Sequence, residues 1–174
     1  MKKVLATLCL AILPIFAIAQ SVFDKYENSK DVATVSIGKG LLKLASHIDI
    51  ETEDPEVKDF LNLAKNIDEI KVYVTEKSSV AADLSQAVKV HLKERRLESL
   101  MKVKDKDAII NFYVKSTNND EIVKELLMHV EHKDSHRTES VVVNITGKIE
   151  LEKIGALVNQ LNLPEEVKEV KRSK

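Results

Sequence analysis

Ala108-Ile109-Ile110-Asn111-Phe112-Tyr113-Val114-Lys115 is the stretch that decides the fold. Its apolar and polar side chains alternate. In a strand, Ile110, Phe112 and Val114 share one face, while Asn111, Tyr113 and Lys115 share the other. The first set is expected to face the core and the second to face outward. A further strand is expected at Val141-Val142-Val143 with Ile145, and another from Leu97 to Val103. Lys104-Asp105-Lys106-Asp107 is a plausible hairpin connection. Consecutive strands favour antiparallel pairing, and helices grouped elsewhere favour an α+β class. The expected architecture is a mainly antiparallel sheet of about five to six strands with about three to four helices packed on it.

Working outward, Val32 to Ile37 is rich in β-branched residues and predicts a strand. Leu41, Leu42, Leu44, Ala45 and Ile48 then recur at helical spacing. Asp54-Pro55-Glu56 has the chemistry of a helix start, with Val57, Phe60, Leu61, Ala64 and Ile67 as its apolar face. Ile70 to Thr75 alternates like a half-buried strand. A helix from about Ser79 carries a stripe of Val80, Leu84, Val88 and either His91 or Leu92. Residues 20–31 are polar apart from a few side chains, and a short helical lead-in is expected to dock by Phe23 and Tyr26. Glu121 to His132 is ambiguous. Ile122, Leu126 and His129 fit a helix, whereas Ile122, Leu126, Met128 and Val130 fit a strand. Leu151, Ile154, Leu157, Val158 and Leu161 predict a closing amphipathic helix that Pro164 stops.

The two ends differ in character. Met1-Lys2-Lys3 is a short positive start, Val4 to Ile18 is an apolar run, and Ala17-Ile18-Ala19 has the small-x-small pattern a signal peptidase requires. Residues 1–19 are therefore expected to be a signal peptide cut between Ala19 and Gln20. The run is shorter than the roughly twenty residues of a spanning helix, and no later segment matches its apolarity. No transmembrane segment is expected in the mature chain. Cys9 lies mid-run after Leu8, so no lipid anchor is expected. Residues 20–164 are expected to form one domain, with 165–174 a charged, disordered tail.

Loss of the leader removes the only cysteine and two of 27 basic residues, against 28 acidic ones. A thiol-free chain has no disulfide, thiolate ligand or cysteine nucleophile. A mildly acidic balance argues against nucleic-acid binding, which rests on a basic face. With three tyrosines, four phenylalanines and no tryptophan, no carbohydrate-stacking platform stands out.

His129, His132 and His136, with Glu131 and Asp134 between them, form the densest ligand-type cluster, and imidazole with carboxylate suits a divalent ion. If 132–136 is extended, His132, Asp134 and His136 project to one face. A solvated hairpin tip explains the same residues. Gly38-Lys39-Gly40 lacks the further glycine and the Gly-Lys-Ser/Thr ending of a phosphate loop. It is read as a strand-to-helix turn exploiting glycine's positive φ. No serine sits in a Gly-x-Ser-x-Gly elbow. Glu51, Glu53, Asp54 and Glu56 lack the apolar surroundings that raise a carboxyl pKa. The basic run Lys89–Arg96 has two readings, a docking patch for anionic lipid or acidic protein and the solvated face and dipole end of one helix, and the second is favoured. No cofactor is expected.

Phe23-Asp24-Lys25-Tyr26, Thr34-Val35-Ser36-Ile37, Ile110 to Lys115, Glu125-Leu126-Leu127-Met128 and Asn144-Ile145-Thr146-Gly147 followed by Leu151 together resemble one family. It is a group of short exported proteins of Bacteroidetes-type bacteria catalogued as domain of unknown function 4252. The resemblance runs from about Phe23 to Leu163 in order and spacing. It implies no catalytic residues, a strand at Glu121–His132, and an envelope-stress or regulatory context. It also implies that the histidine-rich hairpin is particular to this sequence.

The expected function is a non-enzymatic periplasmic or envelope domain that binds an envelope protein partner. The alternatives are a metal binder or metal-dependent enzyme using His129, His132 and His136, and a carrier of a small apolar ligand.

Overall fold

The computed structural model describes residues 21–47, 58, 62–104, 108–133 and 138–154. Six strands form one sheet: β1 (Ala33–Gly38), β2 (Ile67–Thr75), β3 (Glu98–Lys104), β4 (Ala108–Ser116), β5 (Ile122–Lys133) and β6 (Thr138–Glu150). Their spatial order is β1-β2-β6-β5-β4-β3, and every pairing is antiparallel. Strands β3 to β6 run as a meander. Strand β2 closes onto β6, and β1 forms the far edge. Two helices are α1 (Lys39–His47) and α2 (Ser78–Arg95); residues 62–64 are also helical. The α+β expectation holds, and Glu121–His132 is resolved as strand β5.

The sheet is covered on both faces. On one, Ile110, Phe112 and Val114 of β4 pack with Leu126, Met128 and Val130 of β5, Val143 and Ile145 of β6, Leu42 of α1, and Leu63 and Ala64. On the other, α2 lays Leu84, Ala87 and Val88 onto Tyr73, Leu127 and Val142, and the amino-terminal segment adds Phe23, Tyr26 and Val32. The lead-in does dock by its two rings. A 3-10 turn at Asp24–Tyr26 leaves Phe23 and Tyr26 buried. Phe23 stacks on Tyr73 with ring centroids 5.4 Å apart. Burying such a ring contributes roughly 2–3 kcal/mol.

That second cover corrects one expectation. Tyr113 packs against the α2-side core, and Asn111 is half-buried. Strict alternation assigned them to water because a single covered face was assumed. Gly38 and Gly40 are corrected too. Among the described residues, Gly147 is the one glycine at positive φ, 140°. A Cβ there would lie 2.4 Å from the Asn66 carbonyl oxygen, so both backbone angle and space require glycine. At Gly38 and Gly40 a Cβ would meet nothing within 4 Å.

Helix α2 ends without glycine. Arg96 takes the left-handed conformation at φ 57°, and the Leu97 N–H donates to the Leu92 carbonyl. The closing helix is described only to Ile154, with a 3-10 turn at Leu151–Lys153. The leader, the Ala19/Gln20 cleavage site, the acids of 51–56, His136 and the tail lie outside the described residues.

Candidate functional site

The chemistry-bearing side chains gather between α2 and the sheet. Strand alternation sends Glu125, Leu127, His129 and Glu131 of β5 toward the helix, and Asn144, Val142 and Ser140 of β6 beside them. Helix α2 presents Ser85, His91 and Arg95 on its sheet side, and each reaches a side chain of β5. Two polar groups result, separated by the apolar contact of Leu84, Val88, Leu127 and Val142.

The first centres on Glu125, whose side chain is 2 % exposed. His91 Nε2 lies 2.6 Å from its Oε1, and Arg95 Nε donates to Oε2 at 3.4 Å. Burial pushes the carboxyl up. The hydrogen bond from His91, the charges of His91 and Arg95, and a hydrogen bond from Asn144 outweigh it, holding the carboxyl below its ordinary value. The His91 ring also packs 4.9 Å from that of Phe23. An open cleft of about 350 Å³ reaches this group past Ser21, Lys71 and Glu94. The Asn144 Oδ1 beside it is buried without a hydrogen-bond partner.

The second group holds Ser85, His129, Ser140 and Glu131. Ser85 Oγ donates to Glu131 Oε1 at 2.7 Å, and His129 Nε2 lies 3.1 Å from Ser140 Oγ and 3.4 Å from Ser85 Oγ. A serine, a histidine and an acid meet here, but not as a nucleophile with its base. The acid accepts the serine's hydrogen bond directly, instead of orienting the histidine from its other nitrogen. Burial pushes the imidazole down; Glu131 opposes that and Lys89 adds to it.

Strand geometry separates two of the three histidines read as metal ligands. His129 faces α2, while His132 pairs with Glu139 on the opposite face. His132 Nδ1 is 3.9 Å from Glu139 Oε2 and is buried without a hydrogen-bond partner. Among the described residues, no group of three or more His, Cys, Asp or Glu is placed to hold a metal ion.

His91 and Glu125 were missed as a pair, being far apart in sequence. The available signal was a histidine on an apolar helical stripe and a carboxylate flanked by Val123 and Leu126. Strand β5 carries a register shift between Val123 and Glu125. That bulge lets Val123 and Leu126 enter the same core cluster.

Large exposed apolar side chains concentrate elsewhere. Val35 of edge strand β1 is 53 % exposed, and Leu41 and Leu44 of α1 are 58 % and 63 % exposed. Leu100 of the opposite edge strand, β3, is 43 % exposed. No described helix is long and apolar enough to cross a membrane.

A family model described as Domain of unknown function (DUF4252) matches residues 26–157. No curated protein sequence and no solved structure matches the chain.

Proposed function

The chain belongs to the DUF4252 family, and because that description carries no activity, we propose from its own geometry an exported, non-enzymatic domain that binds a protein partner at the β1–α1 edge. The observation that carries this is the placement of Val35, Leu41 and Leu44. Three of the four large apolar side chains exposed among the described residues lie on one edge strand and the helix that follows it. Exposed apolar groups beside an edge strand's unpaired backbone are what a partner strand or helix engages. The acid–base groups support the non-enzymatic part, since they satisfy each other in two separate pairs, His91 with Glu125 and Ser85 with Glu131. The clefts at the α2 face are lined largely by charged and polar groups, which favours a partner over an apolar cargo. Export is proposed from the leader read in residues 1–19, and an envelope-stress context from the family resemblance.

A photo-crosslinking residue placed at Leu44 in cells tests this reading. One discrete adduct, lost when Leu41→Asp is added, is expected. Absence of an adduct under several envelope stresses overturns it.

A second reading is a divalent-metal site at the β5–β6 hairpin. It is favoured by the unpaired His132 Nδ1 beside Glu139, and it excludes His129, which faces the other way. Metal analysis of purified protein, with His132→Ala as comparison, tests it.

A further inference from the structure

A second cleft, about 460 Å³, opens where the end of α2 meets β4, β5 and β6. Arg95, Lys115, Lys124 and Lys148 line it, against two carboxylates, Asp68 and Glu125. Both carboxylates are already engaged. Asp68 accepts from Lys39, and Glu125 accepts from Arg95 and sits against His91. Among the described residues, Lys115, Lys124 and Lys148 form no close ion pair with a carboxylate, and the charge of Lys148 acts on Glu150. With four cations against two carboxylates on its lining, the cleft is net positive.

The backbone builds this concentration. The β5 bulge sets Lys124 and Glu125, neighbours that strict alternation would send to opposite faces, on the lining of one cleft. A second register shift, between Lys115 and Ser116, lies on the adjoining strand, where Lys115 pairs with Glu125. Gly147, at positive φ and closely approached by the Asn66 carbonyl, also lines the cleft and is followed by Lys148. Buried Glu125 holds Arg95 by its Nε, leaving the arginine side chain half open to solvent. The like-charged groups are thus held together by three strands and the end of α2.

We propose that this cleft binds a phosphate-bearing ligand. Three lysines and a tethered guanidinium match the several acceptor oxygens of a phosphate better than a single carboxylate, and both side-chain types bind phosphate oxygens by charge-assisted hydrogen bonds. The volume is that of a small-molecule site. None of its lining residues belongs to the β1–α1 edge, so this proposal stands apart from partner binding there.

Calorimetric or NMR titration with glycerol phosphate at low salt, beside flotation with phosphatidylglycerol and phosphatidylcholine vesicles, tests the site. Saturable binding is expected, weakened at least about tenfold by the double change Lys124→Glu/Lys148→Glu, because two favourable charges become repulsive. Lys102→Glu, an exposed lysine on β3 outside the cleft, is expected to bind like wild type. Binding to glycerol phosphate identifies a soluble ester as a sufficient ligand. Binding confined to phosphatidylglycerol vesicles, and lost in the double variant, identifies a lipid headgroup. No binding in either arm, or binding equal in the double variant, overturns the proposal.

Discussion

His91 Nε2 sits 2.6 Å from Glu125 Oε1, joining the fourth turn of α2 to the bulged start of β5 through two largely buried side chains. With Ser85 to Glu131, it is one of two polar fastenings between the helix and β5 on that face.

Removing one side of a buried, charge-assisted hydrogen bond leaves the other without its partner. His91→Ala is expected to lower unfolding free energy by about 2–3 kcal/mol in urea titration. His91→Ala/Glu125→Leu is expected to recover part of that loss, since no buried carboxylate is then left behind. A double variant weaker than the sum of the singles would contradict the coupling.

Stability should fall in acid in two stages. Burial holds His129 below its ordinary 6.5, so the unfolded chain binds a proton there that the folded chain resists. Stability is thus highest above that value and declines as pH drops through it towards the lower folded value. Glu125, held below its ordinary 4.5, contributes stability that is complete above 4.5 and is lost as pH falls through its lowered folded value. Urea midpoints between about pH 7.5 and pH 5 should fall in the wild type and flatten in His129→Gln.

Gly147→Ala is expected to cost more than about 2 kcal/mol by thermal or urea unfolding, since the left-handed angle and the Asn66 carbonyl both oppose a Cβ. Gly38→Ala, with open space at its Cβ, serves as the comparison and is expected to change stability by less than about 1 kcal/mol.

Tyr73 is fully buried, with its hydroxyl unpartnered and its pKa pushed up to about 12 by burial. Tyr73→Phe keeps the ring that Phe23 stacks on and removes the unsatisfied oxygen. It should be neutral or stabilising by up to about 1 kcal/mol. A clear loss of stability would mean that the hydroxyl has a partner.

Much of this fold was legible because its signals are local. Alternation at Ile110 to Lys115, the β-branched run at Val141–Val143 and the stripe Leu84–Val88–His91 each need only a few neighbouring residues. The lead-in was legible from Phe23 and Tyr26 alone, two rings in a polar segment. The candidate site was less so. Tyr113 was assigned to solvent because a strand's period identifies two faces but not how many are covered. His129 and His132 looked like partners in sequence, yet three residues along a strand place them on opposite sides.

By itself, the sequence determined the strand and helix periods, the mainly antiparallel α+β class, and the balance of charges, because those follow from near-neighbour patterning. Only the tertiary structure decided that His91 meets Glu125, that the bulge at Val123–Glu125 sets Lys124 beside Glu125 on one cleft, and that Gly147 admits no side chain. The first and third depend on residues brought together from distant parts of the chain by packing α2 and the Asn66 turn against the sheet, and the second on the register in which β5 pairs with β6. No local period encodes that distance.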